Sequence, residues 1–122
     1  MSRLLAIVIL LASGWASQAF WKAEYENSPS NVREWFQNLR QPPNRDFGCC
    51  SEADCRPVES RIVAKGYQAK LEDGEWYDVP EYVTETDPKV LRTNPTGSPV
   101  ACTLGIGPGL RWLCFEPWDE LG

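Results

Sequence analysis

Cys49, Cys50 and Cys55 fall within seven residues, and Cys102 and Cys114 follow as distant singles. Thiols in such an array have three chemical uses: holding a metal, attacking or exchanging as thiolates, or stapling the chain. Zinc sites draw Cys and His in pairs about two to four residues apart. Here no second close pair exists and the chain has no histidine at all, so no metal is expected. A cysteine or serine nucleophile needs a base, most often His, and the redox spacing Cys-x-x-Cys is absent. Asp54 beside Cys55 is the one place where a carboxylate and a thiol adjoin, although Asp54 also stands three residues after Ser51, the spacing of a capped helical turn. Asp and Glu are abundant elsewhere, but nothing in their spacing selects a catalytic pair. By elimination the cysteines are disulfide formers. No cofactor is expected, and a non-catalytic protein is the preferred reading over a small enzyme using carboxylates or a free thiol.

Disulfides require an oxidising compartment, and the N-terminus points to one. A basic start, Met1–Arg3, leads into an apolar run. Ser17 and Ala19 then occupy the small-residue positions read by a signal peptidase. Residues 1–19 therefore read as a signal peptide, which leaves 20–122 as a single extracytoplasmic domain, periplasmic or secreted. The competing reading keeps residues 4–21 as a membrane anchor. That run carries no charge, has Trp15, Phe20 and Trp21 near one end, and meets the lower bound of about 17–25 residues for a spanning helix. The domain would then sit in the periplasm, tethered to the inner membrane. The 122-residue chain carries 12 basic and 17 acidic residues, net charge −5. The basic ones are scattered, which argues against a nucleic-acid partner.

The elements that must place the cysteines are short. Val32, Trp35, Phe36 and Leu39 recur at i, i+3, i+4 and i+7, the stripe of one amphipathic helix that buries Trp35, Phe36 and Leu39. Asn31 is its expected cap, with Glu34 three residues on, and Pro42 and Pro43 its expected stop. Beyond Pro57 the pattern turns to strands. "SRIVAK" and "GYQAKL" lead to "LEDGEWYDVP", a hairpin. A two-residue Asp73-Gly74 loop would oppose Glu72 to Glu75. A three-residue loop, Glu72–Gly74 with Gly74 left-handed, instead pairs Leu71 with Glu75, Ala69 with Tyr77 and Tyr67 with Val79. The second register gives cleaner faces and sets Trp76 outward beside Lys70. "NPTG" at 94–97 reads as a type I turn. "SPVACTL" and "LRWLCFEP" are the last two strands, joined by a glycine-rich loop that lacks the lysine of a phosphate cradle. The sum is an α+β, mainly β domain: one N-terminal amphipathic helix packed on a small, curved antiparallel sheet or barrel of about five to seven strands, stapled by disulfides.

Two bridges would use four of the five cysteines, Cys49, Cys50, Cys55, Cys102 and Cys114, and leave one over. The favoured arrangement ties Cys102 and Cys114 to the 49–55 loop, with Cys49 and Cys50 pointing apart and serving different partners. Six tryptophans are many for so short a chain. Trp76, Trp112 and Trp118 are the candidate contacts for a protein or glycan partner.

The segments "CCSEADCRPV", "DGEWYDVP", "VLRTNPTG", "VAC" and "LCFEP" together resemble a group of functionally uncharacterised small secreted proteins of Gram-negative bacteria, which share a Cys-Cys-Ser-x-x-Asp-Cys box and two later single cysteines. The likeness spans about residues 35 to 117. It implies an exported, disulfide-bearing domain and supplies no catalytic residues. The expected function is an exported, disulfide-stabilised, non-catalytic binding or accessory module. A membrane-anchored accessory subunit of a larger complex is the alternative.

Overall fold

The computed structural model describes residues 26–49, 54–105 and 107–118. The signal or anchor segment, Cys50 and the turn expected at Ser51–Asp54 lie wholly or mainly outside them. Among the described residues, no helix is long and apolar enough to cross a membrane.

One main helix, α1 (Ser30–Asn38), opens the domain. It begins two residues earlier than expected, and its cap is Pro29 rather than Asn31. The Pro29 carbonyl accepts from the N–H groups of Val32 and Arg33 at 3.0 and 3.3 Å. The ring holds Pro29 extended (φ −56°, ψ 152°), so the chain enters the helix already aligned and no side-chain cap is needed. Phe36 and Leu39 are buried, whereas Trp35 is half-buried. The helix ends at Asn38, ahead of the prolines. Pro42 and Pro43 instead form the turn of a short hairpin between β1 (Arg40–Gln41) and β2 (Asn44–Gly48).

The expected single curved sheet or barrel is replaced by three small antiparallel sheets: β1–β2, then β3 (Cys55–Pro57) with β7 (Val100–Leu104) and β8 (Arg111–Glu116), then β4 (Glu59–Val63) with β5 (Gly66–Lys70) and β6 (Trp76–Asp78). Between β6 and β7 lie a 3-10 turn at Glu81–Val83 and a short helix α2 (Pro88–Arg92). The Asp87 carboxylate caps α2 by accepting from the Lys89 N–H at 3.0 Å.

The β3–β7–β8 sheet is covered on both faces, which explains its unbroken apolar strands. Val100, Cys102 and Cys114 point into a cluster with Phe36, Leu39, Cys49 and Cys55. Ala101 and Phe115 point the other way, into a cluster with Ala69, Leu71, Val79 and Val83. The outer sheet thus closes the second face through the inward side of β5. Its hairpin has the register expected from sequence. Ala69 pairs with Tyr77, Leu71 N–H donates to Glu75 at 3.1 Å, and Val79 N–H donates to Tyr67 at 2.9 Å. Gly74 sits at φ 81°, a left-handed position that glycine takes without cost.

Two disulfides cross the first cluster, Cys49–Cys114 and Cys55–Cys102. Cys55 and Cys102 face each other on β3 and β7 with Cα atoms 4.0 Å apart. Cys102 also faces Cys114 across β7 and β8, yet each is bonded to the 49–55 segment instead. The bridges span 65 and 47 residues, so by loop entropy each stabilises the fold by about 4 kcal/mol.

Candidate functional site

The chemistry-bearing groups that the fold gathers are not those the sequence singled out. Glu116 ends β8 two positions after Cys114, so the strand period turns it inward with that cysteine. Its side chain is fully buried, and neither carboxylate oxygen has a hydrogen-bond partner among the described residues. Beside it comes Glu85, anchored when its N–H donates to the Phe115 carbonyl at 2.8 Å. Glu85 is also buried, and Arg45 reaches it from the exposed hairpin strand β2. The guanidinium donates from both terminal nitrogens, at 2.5 Å to Oε1 and 2.8 Å to Oε2. The Thr86 N–H adds a contact of 3.1 Å to Oε2.

This arrangement separates the two carboxyl groups. Burial pushes the Glu116 pKa from 4.5 up to about 8, the Glu85 charge pushes the same way, and Arg45 opposes them. Glu116 is therefore mostly protonated at neutral pH. The Arg45 guanidinium is held above its ordinary range, chiefly by its hydrogen bonds to Glu85. A neutral acid next to a paired carboxylate is the electronic arrangement of an acid–base couple. Here both side chains are buried.

A second polar contact is a clamp. Arg56 of β3 donates to Glu72 Oε2 at 2.8 Å, to Thr103 Oγ1 at 2.9 Å and to the Asp54 carbonyl at 3.0 Å. It ties the hairpin loop of the outer sheet to the inner one. Burial lowers the Arg56 pKa to about 10, with Asp54 opposing, so it stays cationic at neutral pH. Among the described residues no group of three or more acidic, cysteine or histidine side chains could hold a metal.

The structure disperses the residues expected to act. Cys55 is bonded to Cys102, so the thiol beside Asp54 does not exist as a nucleophile. Trp76 lies half-buried on the outward face of its sheet, with the Arg61 guanidinium 4.1 Å from its ring centre. Trp112 packs against the second cluster, on the opposite side of that sheet, edge-on to Phe115 at 6.3 Å. Trp118 is exposed. A small apolar groove of about 180 Å³ runs between α1 and α2, lined by Trp35, Asn38, Leu39, Lys89, Val90 and Thr93. Sequence reasoning missed the Arg45–Glu85–Glu116 cluster. Its one local signal was a glutamate in phase with a cysteine at the end of the apolar run "LCFE".

Comparison with protein-family models, curated proteins and solved structures finds no match to this chain.

Proposed function

We propose that the chain is an exported, non-catalytic binding or accessory module whose rigidity comes from disulfides. The observation that carries this reading is the pair of bridges joining the 49–55 segment to the central strands. They suit an oxidising, extracytoplasmic compartment and consume four of the thiols that a redox or metal protein would keep free. The burial of Glu85 and Glu116 weighs against a carboxylate enzyme. The resemblance to small secreted proteins supports export. A protein or glycan partner is the class suited to exposed aromatic residues such as Trp118.

The test is the intact mass of the protein recovered from its own host, before and after alkylation without reductant. The reading expects a chain that begins at Phe20, is found outside the cytoplasm, and takes up one alkyl group. A chain that retains Met1 and partitions with membranes would make it an anchored accessory subunit instead. Several alkylated thiols would overturn the stapled module.

A further inference from the structure

The outward face of the outer sheet carries a side-chain array that neither the core nor the disulfides use. Arg61, Gln68 and Asp78 are partners across β4, β5 and β6, and Glu59, Lys70 and Trp76 form the row beside them. Cross-strand partners share a face, so these side chains stand opposite the face that bears Ala69 and the second cluster. Two hydrogen bonds lock the first row. The Arg61 Nε–H donates to Gln68 Oε1 at 2.8 Å, and Gln68 Nε2 donates to Asp78 Oδ1 at 2.8 Å. The Arg61 guanidinium then lies diagonally across the sheet, its carbon 4.1 Å from the centre of the Trp76 ring.

The result is a cation that is held but not neutralised. Arg61 is exposed, and among the described residues no carboxylate stands within ion-pair distance of it. Its Nε is taken by Gln68, whereas neither terminal nitrogen has a hydrogen-bond partner among the described residues. Arg45 and Arg56 differ, since each closes its fork on a glutamate. A guanidinium already stacked and hydrogen-bonded loses less freedom when it binds. A planar carboxylate meets such a fork through two parallel bonds. Its single charge suits this face better than a phosphate's, because Asp78 and Glu59 flank the arginine.

The same neighbours define what must surround that carboxylate. Arg61 covers a face of the Trp76 ring, so the ring braces the arginine instead of stacking on a ligand there. Asp78 keeps Oδ2 free among the described residues, and the ion pair between Glu59 and Lys70 is a loose 3.7 Å with both groups exposed. A polyanion would meet these two carboxylates and a chain of net charge −5. A neutral frame of hydroxyl groups meets no such repulsion: it donates to Asp78 and Glu59 and accepts from Lys70. We infer that this face binds a saccharide through the carboxylate of a uronic acid unit, with Arg61 as the anion contact. The inference rests on the binding-module reading and narrows its partner to an acidic glycan.

An NMR titration of the purified protein with its disulfides intact, following the Trp76 indole N–H and the Arg61 Nε–H, tests the assignment. The probes are glucuronate, glucose, acetate and polyglutamate. Glucuronate should shift both resonances saturably, with a dissociation constant of about 1 mM for this single sugar unit. Glucose lacks the carboxylate and acetate lacks the hydroxyl frame, so each should bind about tenfold more weakly or worse. Arg61→Lys keeps the charge but loses the fork and the stacking, and should weaken glucuronate about tenfold; the fold should persist because Arg61 is exposed. Absence of saturation by glucuronate overturns the inference. So does binding indifferent to Arg61→Lys, or glucose or acetate binding as tightly as glucuronate. Polyglutamate binding more tightly than glucuronate would assign the face to an acidic peptide and also overturn it. Any of these failures in a chain whose two bridges are intact leaves the stapled-module reading standing, because that reading is decided by the mass and alkylation measurement.

Discussion

Replacing Glu116 with glutamine should remove most of the pH dependence of stability between pH 5 and 8. The carboxyl group titrates near 4.5 when unperturbed and at about 8 in the fold. Between those values the native state holds a proton that the unfolded state has released, so stability falls as pH rises. The slope approaches ~1.4 kcal/mol per pH unit. From pH 4.5 to neutrality the accumulated loss is about 3 kcal/mol, and it levels off above pH 8. Below the unfolded value the acid is neutral in both states and contributes no penalty. Glu116→Gln keeps the shape and removes the titration. Wild type and variant should therefore have similar stabilities near pH 5 once a constant offset is removed, and diverge in the variant's favour by about 2.5 kcal/mol toward pH 7. Urea unfolding at pH 5, 6, 7 and 8, with the disulfides intact, measures this directly. A wild-type stability that is flat or rises across that range would refute the burial argument. So would a glutamine variant that retains the wild-type slope.

Removing the Cys55–Cys102 bridge by paired serine substitution should cost about 4 kcal/mol, read as a lower urea midpoint. Arg45→Ala leaves Glu85 buried without its partner. Because the arginine side chain is about half-exposed, the cost should be about 2 kcal/mol rather than the full penalty of a deeply buried pair. Glu85→Gln together with Arg45→Ala should recover part of it in the same assay. Gly105→Ala should cost at least about 1–2 kcal/mol in thermal unfolding. Gly105 sits at φ 76°, and an added Cβ would lie 2.6 Å from the Gly109 carbonyl oxygen.

What the sequence determined by itself was local. The period-two pattern and the demand for a left-handed residue at Gly74 set the Glu72–Gly74 hairpin register, because turn geometry and the alternation of faces act within a few residues. The Val32–Leu39 stripe marked α1 for the same reason. α2 was not expected from the sequence, although Asp87-Pro88 supplies an N-cap followed by proline. Tertiary structure decided the rest. The division into three sheets depends on where β3 leaves β7 to join β5 through β4, and no local period encodes that change of partner. Cys102 and Cys114 stand opposite each other in the sheet, yet bond to Cys55 and Cys49, which join them in the first cluster. The Arg45–Glu85 pair joins residues 40 apart. Glu116 resembles any other glutamate until two elements close over it. Burial turns an ordinary acid into one that keeps its proton at neutral pH, and burial is a property of the assembled fold rather than of neighbouring residues.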